Sequence, residues 1–304
     1  MQQPLAPWLE PTLNKLLAQA HEGQLAHALL LPLSKEQGAE VLLNRLLQGL
    51  LCLNGNACGQ CKSCHLLAAG THPDAYSIKA DGNQIKVDQI RELTSALSKT
   101  AQQGGARVAI IWQAEQLNHA AANALLKTLE EPAANCFIVL ASAKAGLLPA
   151  TIRSRCQNVA LTQVSKAQSR DWLQNQGVDW NTVGWTYDVL GGPYAMLQQQ
   201  GQERLEQLQS ARKEWSNALA KGQVSATLCQ YTQDQPADSL HVLHWLISKK
   251  MGSILASQRA FANRLSALIS EISQVRQQLA HMPSVNYVAL CTRLVLDYQQ
   301  AAKQ

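Results

Sequence analysis

Charge is scarce in this sequence. Asp, Glu, Lys and Arg make up only 15% of its 304 residues, below the ~25% usual for globular proteins. Gln and Asn supply much of the remaining polarity. The net charge of +5 is a mild bias. It fits a weak nucleic-acid surface, and an ordinary soluble surface equally well, but not a basic nucleic-acid tail. No apolar run reaches the ~18–20 residues that a membrane span needs. The opening MQQPLAPWLEP has no basic stretch followed by an apolar one, so no secretory signal is expected. No heptad array is long enough for a coiled coil, and no repeat of ~20–50 residues is visible. These absences set aside membrane, secreted, fibrous and repeat classes and place the protein in the cytoplasm. What is present is apolar: 46% of residues, enough for the cores of two or three domains.

Disulfides are also not expected, although there are eight cysteines. Four crowd into residues 52 to 64, while Cys136, Cys156, Cys229 and Cys291 stand alone. One tight cluster in a large chain without a signal reads as metal ligation in a reducing compartment. Cys52, Cys58, Cys61 and Cys64 give C-x5-C-x2-C-x2-C. Four soft thiolates this close can surround a tetrahedral Zn²⁺ at ~2.3 Å per bond. A complete set of protein ligands leaves no open position, so zinc here is structural. Lys62 and local amides offset part of the negative charge. An iron–sulfur cluster is the rival reading. In ferredoxins the run continues C-x3-C-P, whereas residue 68 is Ala. His65 and His72 read as surface histidines or as supports behind the ligands.

The apolar pattern predicts alternating helices and strands to about residue 163. A helix is expected over 5–24, a buried strand at 26–32, a helix over 39–51 and short strands at 76–78 and 85–87. A helix over 87–99, a strand at 107–112, a helix over 120–131 stopped by Pro132 and a strand at 137–142 follow. A helical turn at 151–155 and a strand at 159–161 close the series. This order implies an α/β domain with a mostly parallel sheet. Beyond it the strand signal vanishes. Short helices are expected over 165–200, broken at Gly191, Gly192 and Pro193. Helices follow from about 202 to 304, with Leu240, Leu243, Leu246 and Ile247, then Leu265, Leu268, Ile269 and Ile272, at helical spacing. The expected division is 1–163, 164–203 and 204–304.

The strand–loop–helix at residues 28–50 is where a nucleotide-hydrolysing fold would put its phosphate loop. Such a loop needs glycines, a Lys for the phosphates and a Ser or Thr for Mg²⁺. Here it reads Leu33-Ser34-Lys35-Glu36-Gln37-Gly38-Ala39-Glu40. Set against G-x-x-G-x-G-K-[ST], only Gly38 is kept. Ala39 stands in the Lys slot and Glu40 in the Ser/Thr slot, where a carboxylate repels phosphate. Lys35 is out of register. The Mg²⁺-holding Asp and water-orienting Glu expected after strand 108–111 are Trp112 and Gln113. Glu115 follows and reads as solvent-facing. Taken alone, a strand–helix junction also suits any α/β protein.

Two later segments are more specific. Residues 123–132 read NALLKTLEEP, and 154–156 read SRC. With the cysteine cluster upstream and Gly70-Thr71-His72-Pro73-Asp74 after it, this order resembles the bacterial sliding-clamp-loader subunits of the DNA polymerase III gamma/tau and delta-prime families. The resemblance is strong over about 25–160, moderate to 205, and beyond that rests on helical character and length. It implies an AAA+ P-loop-like α/β domain, a small helical lid domain and an all-α C-terminal collar domain. The missing Lys, Asp and Glu point to the delta-prime branch, which does not hydrolyse ATP. At Gly191-Gly192-Pro193-Tyr194-Ala195 no sensor arginine is present, and Ser142 reads as a strand-end serine.

Within that resemblance, Arg155 is the candidate catalytic residue, a trans-acting arginine finger on a neighbouring subunit's ATP. The Ser-Arg-Cys register selects it over Arg153. A structural ion pair or a helix-end contact is the alternative role. Ser154 is expected to cap the adjacent turn and Cys156 to pack. Leu125, Leu126 and Leu129 read as core, and Lys127, Glu130 and Glu131 as a polar or subunit-facing side. Trp172, Trp180, Trp185 and Trp245 read as packing residues. The implied partners are gamma/tau ATPase subunits and a delta subunit in a hetero-pentameric ring, with the sliding clamp and primer–template DNA reached through the complex. Implied cofactors are structural zinc and no ATP. An active gamma/tau-like ATPase and a metal-binding DNA regulator outside replication are the competing readings.

Overall fold

The computed structural model describes residues 3–197, 200–279 and 285–303. Residues 198–199, 280–284 and 304 of the expected helical stretches lie outside these. The chain divides into two compact units, 1–172 and 173–304.

In the first unit the chain runs α1 Glu10–His21, β1 Ala28–Leu31, α2 Ala39–Leu51, α3 Lys62–Ala68, β2 Ala75–Ile78 and α4 Val87–Leu97. It continues with β3 Arg107–Trp112, α5 His119–Glu130, β4 Cys136–Ala141, α6 Ala150–Arg153 and β5 Gln157–Asn158. The strands form one parallel sheet in the order β2-β3-β4-β1-β5. Every residue of β1 and β3 is buried. That is why their sequences are continuous apolar runs: a parallel sheet is covered on both faces. Leu42, Leu43 and Leu46 of α2 and Leu125 and Leu129 of α5 are at most 1% exposed. Each such side chain contributes about 1.5–3 kcal/mol. Asn118 starts α5 by accepting the Ala121 amide N–H at 2.8 Å, a standard N-cap.

Some expected bounds move. The helix expected over 5–24 is Glu10–His21. Ile85–Val87 is no strand. Ile85 makes a single parallel bridge to Leu117, and Val87 already opens α4. Ile85 is apolar because it is fully buried, not because it joins a ladder. The last strand is Gln157–Asn158 instead of Val159–Leu161. One bond, Val159 N–H to Leu30 O, extends it before the chain leaves the sheet. Leu126 is half-buried, whereas Leu125 and Leu129 are core.

The division between the units falls inside α7 Lys166–Asn175. The second unit then holds α8 Trp180–Val183, α9 Tyr187–Leu190, α10 Pro193–Leu197, α11 Gln200–Lys221, α12 Ala226–Asp234, α13 Pro236–Ile254, α14 Arg259–Leu279 and α15 Tyr287–Lys303. The expected stripes are buried at Leu240, Leu243, Ile247, Leu265, Leu268 and Ile272, while Leu246 and Ile269 are half-buried. Trp215, fully buried, donates from Nε1 to Ser239 Oγ at 3.0 Å. Ser239 Oγ meets Thr232 Oγ1 at 2.7 Å, so the buried polar groups satisfy one another. Arg204 holds Asp238 with two bonds of 2.7 Å. The tryptophans pack as expected. Trp8 and Trp172 meet edge to face at 5.2 Å. Trp180 lies against Tyr187. Trp185 and Trp245 lie 5.2 Å apart with the Arg212 guanidinium over both rings, a cation–π arrangement.

His241 in α13 meets Arg276 through Nε2. An arginine only donates, so His241 is neutral and Nε2 accepts. Burial, then the Arg276 charge, pushes His241 down to about 4; Asp238 opposes this, while His244 and Arg204 add to it. Between that value and the ~6.5 of an unfolded histidine, the unfolded chain binds the extra proton. Stability from this site is therefore full above about pH 6.5 and is lost as pH falls towards 4, by on the order of 3 kcal/mol. Urea unfolding followed by tryptophan fluorescence from pH 7.5 to 4 should show this slope, and His241→Asn should flatten it. A wild-type transition that does not move over that range would contradict the assignment.

Candidate functional site

Parallel strands place the loops after β1, β3 and β4 on one edge of the sheet, where a nucleotide fold keeps its chemistry. After β1, residues Lys35–Gln37 form a 3₁₀ turn, and Gly38 takes a left-handed conformation at φ 105°. That conformation favours glycine over any side chain, so Gly38 has a backbone reason to be kept. Two of the amides that would face a phosphate at the start of α2 are already used. Gly38 N–H donates to Lys35 O and Ala39 N–H to Ser34 O, each at 3.0 Å. Ser34 N–H donates back to Gln37 Oε1 at 3.3 Å. Ala39 is fully buried, and Glu40 is exposed.

Across the same edge, Trp112 ends β3. It is 6% exposed and donates from Nε1 to Ser77 Oγ at 3.0 Å. Lys35 Nζ lies 5.6 Å from the centre of the Trp112 ring. Lys35 therefore bridges the loop after β1 to the end of β3, a role its sequence position did not suggest. Gln113 is exposed, with φ 49°. Glu115 departs from expectation. It is half-buried, and its enclosed Oε2 has no hydrogen-bond partner among the described residues. The following 3₁₀ turn, Ala114–Gln116, holds it against the fully buried Ala114 instead of directing it outward. Ser142, 1% exposed, ends β4. Its N–H donates to Leu31 O, and its Oγ accepts from Lys144 N–H, which fits a strand-end serine.

The four cysteines come together between α2 and α3. Cys52 caps the end of α2, and Cys61 starts α3, its Sγ accepting from the Cys64 amide at 3.5 Å. All four Sγ atoms lie within 4.8 Å of one another. Cys52 Sγ is 3.6 Å from that of Cys58 and 4.0 Å from that of Cys61. A tetrahedron with ~2.3 Å bonds has edges of ~3.8 Å, so the spacing fits a four-coordinate metal. Amides point at the sulfurs: Cys58 N–H to Cys52 and Cys61 N–H to Cys58, both at 3.4 Å. Burial pushes the Cys52 thiol up, but the Cys58 and Asn54 amides outweigh it and bring it down to about 6. The Cys64 and Leu53 amides also lower Cys61. Burial, then the Cys61 contact, raises Cys64 to about 12. Two thiols are thus biased towards thiolate and one against it, the uneven distribution expected when four like groups share one small volume.

His65 is exposed, as expected, but His72 is not a surface residue. It is 6% exposed, and its Nδ1 accepts from the Asp74 amide at 3.1 Å. Its Nε2 therefore carries the proton and donates to Ser63 Oγ at 2.7 Å. Ser63 in turn donates to Leu51 O. Burial, partly opposed by Asp74, lowers His72 and keeps it neutral. The His72–Asp74 segment, quoted above only for its resemblance, is the clasp behind the cysteine helix.

Arg155 follows α6. It makes an ion pair within this chain: Nε donates to Glu130 Oε1 at 2.6 Å, Nη2 meets the same oxygen, and Nη1 donates to Thr151 O at 2.9 Å. Glu130 was legible only as polar. Its partner lies 25 residues away, beyond any local pattern. Arg153 is exposed. Ser154 Oγ donates back to Thr151 O at 3.3 Å, closing the turn. Cys156 is buried, and burial raises its thiol to about 11.

The family described as DNA polymerase III, delta subunit, matches residues 8–165. The DNA polymerase III delta-prime subunit of Escherichia coli (strain K12) is 31% identical over 95% of this chain and 94% of its own length. That of Yersinia pestis is 30% identical over 97% of this chain and 95% of its own. A solved DNA polymerase III, gamma subunit-related protein from Thermotoga maritima superposes with a TM-score of 0.53 at 16% identity, covering 95% of this chain and 99% of that one. The last likeness concerns the fold alone, which is the AAA+ α/β fold. With near-complete coverage by relatives of one description, the chain belongs to the DNA polymerase III delta-prime subunit family.

Proposed function

We propose that this chain is a non-hydrolysing subunit of a DNA polymerase III clamp loader, which helps place the sliding clamp on primed DNA and supplies Arg155 in trans to a neighbour's ATP. The observation that carries the first half is the closed loop after β1. The Gln37, Gly38 and Ala39 amides are bonded to the loop's own carbonyls, so a phosphate that used them would have to break those bonds first. Trp112 stands where a Mg²⁺ ligand is needed, and an indole only donates. These features disfavour a gamma/tau-like ATPase, and family membership disfavours a regulator outside replication. In this reading residues 164–203 are the lid and 204–304 the collar. The partners are gamma/tau ATPase subunits and a delta subunit in a five-membered ring, within a DNA-directed DNA polymerase holoenzyme.

For the second half, a guanidinium is permanently charged and offers a rigid fork of donors suited to phosphate oxygens. It stabilises charge that develops on the transferring phosphoryl group. The isolated chain should neither bind nor hydrolyse ATP. In a reconstituted loader, Arg155→Ala should lower DNA- and clamp-stimulated ATPase by about two- to tenfold. That is less than the ~10³–10⁵ a finger supplies at one site, because the other sites keep their own. Equal assembly of both chains, checked by gel filtration, is part of the test. Saturable ATP binding by the isolated chain, or unchanged turnover with Arg155→Ala, would refute the corresponding half.

The cysteine cluster is read as structural zinc held by Cys52, Cys58, Cys61 and Cys64. The metal would tie the end of α2 to the start of α3. Metal analysis should find about one zinc and no iron per chain, and Cys61→Ser should remove it. Each kcal/mol lost should lower the melting temperature by about 2–4 °C, with the inertness towards ATP unaltered. Stoichiometric iron with visible charge-transfer absorption would replace zinc by an iron–sulfur cluster.

A further inference from the structure

We infer that Glu130 is the positioning residue for Arg155, clamping the Nε–Nη2 edge of the guanidinium so that the group is held in place for a phosphate. This inference rests on the trans-acting role proposed for Arg155 and adds to it the group that aims the side chain.

A guanidinium has five N–H donors in one plane. Nε–H and one N–H of Nη2 meet Glu130 Oε1. One N–H of Nη1 is given to the Thr151 carbonyl at 2.9 Å, with Ser154 Oγ at the outer limit of 3.5 Å. These contacts engage Nε, Nη1 and Nη2. Among the described residues Nη2 meets only Glu130, which leaves it a second N–H that a phosphate oxygen can accept. The side chains of Arg155 and Glu130 are 33% and 48% exposed, so the pair is reached by solvent.

Glu130 has no local reason to be acidic. It is the last residue of α5, and a helix C-terminus disfavours negative charge. Its carboxylate binds Arg155 instead. Exposed ion pairs contribute little to stability, which leaves orientation as the useful effect. An arginine held on two sides loses less rotamer freedom when it docks on a phosphate than one that is free. Nη2 need not leave Glu130 to donate its second N–H, so the pair and the phosphate contact are compatible.

The test is steady-state ATPase of the reconstituted loader with full-length chains, comparing wild type, Glu130→Ala, Glu130→Gln, Arg155→Ala and Arg155→Ala with Glu130→Ala. Glu130→Ala should lower kcat by about two- to fivefold of the share that Arg155 supplies, leaving KM for ATP nearly unchanged. Glu130→Gln, which keeps an acceptor oxygen, should recover part of the loss. The double variant should match Arg155→Ala alone. The free chains should melt within a few degrees of one another. If Glu130→Ala runs at the wild-type rate while Arg155→Ala is impaired, the positioning role is wrong and the finger stands. Additive losses in the double variant would also overturn it, since Glu130 would then act elsewhere. If Arg155→Ala itself has no effect, both readings fall.

Discussion

A parallel sheet delivers the carboxyl ends of all its strands to one edge, and this protein's character follows from what arrives there. Three of the five strands end in loops that a nucleotide fold would use. Here they deliver a loop that bonds its Gln37, Gly38 and Ala39 amides internally, an indole, and a serine that caps a turn. β1 and β3 are fully buried, and both pair in register with β4. The scaffold therefore depends on apolar pairing that involves no nucleotide contact. Loss of the Lys, Asp and Glu of a motor could proceed without loosening the fold.

The cysteine insert is tied to that sheet by a short chain of hydrogen bonds. Ser63 of α3 reaches back to the end of α2 through Leu51 O and forward to His72. His72 accepts from the Asp74 amide. Asp74, 1% exposed, accepts the Val108 N–H of β3 through its carbonyl, and the Gln102 and Gln103 amides through its carboxylate. A carboxylate buried this deeply needs such donors. The insert is thus continuous with the edge of the sheet, and a metal there would brace the same edge from outside.

How much of this was legible depended on the range of the physics involved. The runs AHALLLP, RVAIIW and FIVLAS marked the central strands to within a residue or two, because burial on both faces writes itself as continuous apolar sequence. Ile85 misled for the same reason, since one buried residue bridging to Leu117 has the composition of a strand without its ladder. The four cysteines were legible from spacing alone. Ser63 was not, because its meaning comes from contact alone, while His72 was open between the surface and a support behind the ligands, and its bonds to Ser63 and Asp74 give it the second place. Glu115 was placed in solvent on polarity, but the 3₁₀ turn after β3 draws one of its oxygens inside. Glu130 and Arg155 were both singled out as individual residues, and only the fold joins them.

The retained and the dismantled features are physically separate. The altered nucleotide edge is built from the loop after β1 and the end of β3. Arg155 hangs from α6, ahead of the edge strand β5, and its anchors are the end of α5 and the Thr151 carbonyl. Among the described residues, no hydrogen bond or ion pair of Arg155 or Glu130 involves Ser34, Lys35, Gly38, Ala39, Trp112 or Gln113. Sites that share no partner change independently. The end of α5 and the Thr151 carbonyl therefore hold Arg155 independently of the loop after β1 and the end of β3, and a change at Ala39, Trp112 or Gln113 removes no partner of the Arg155–Glu130 pair.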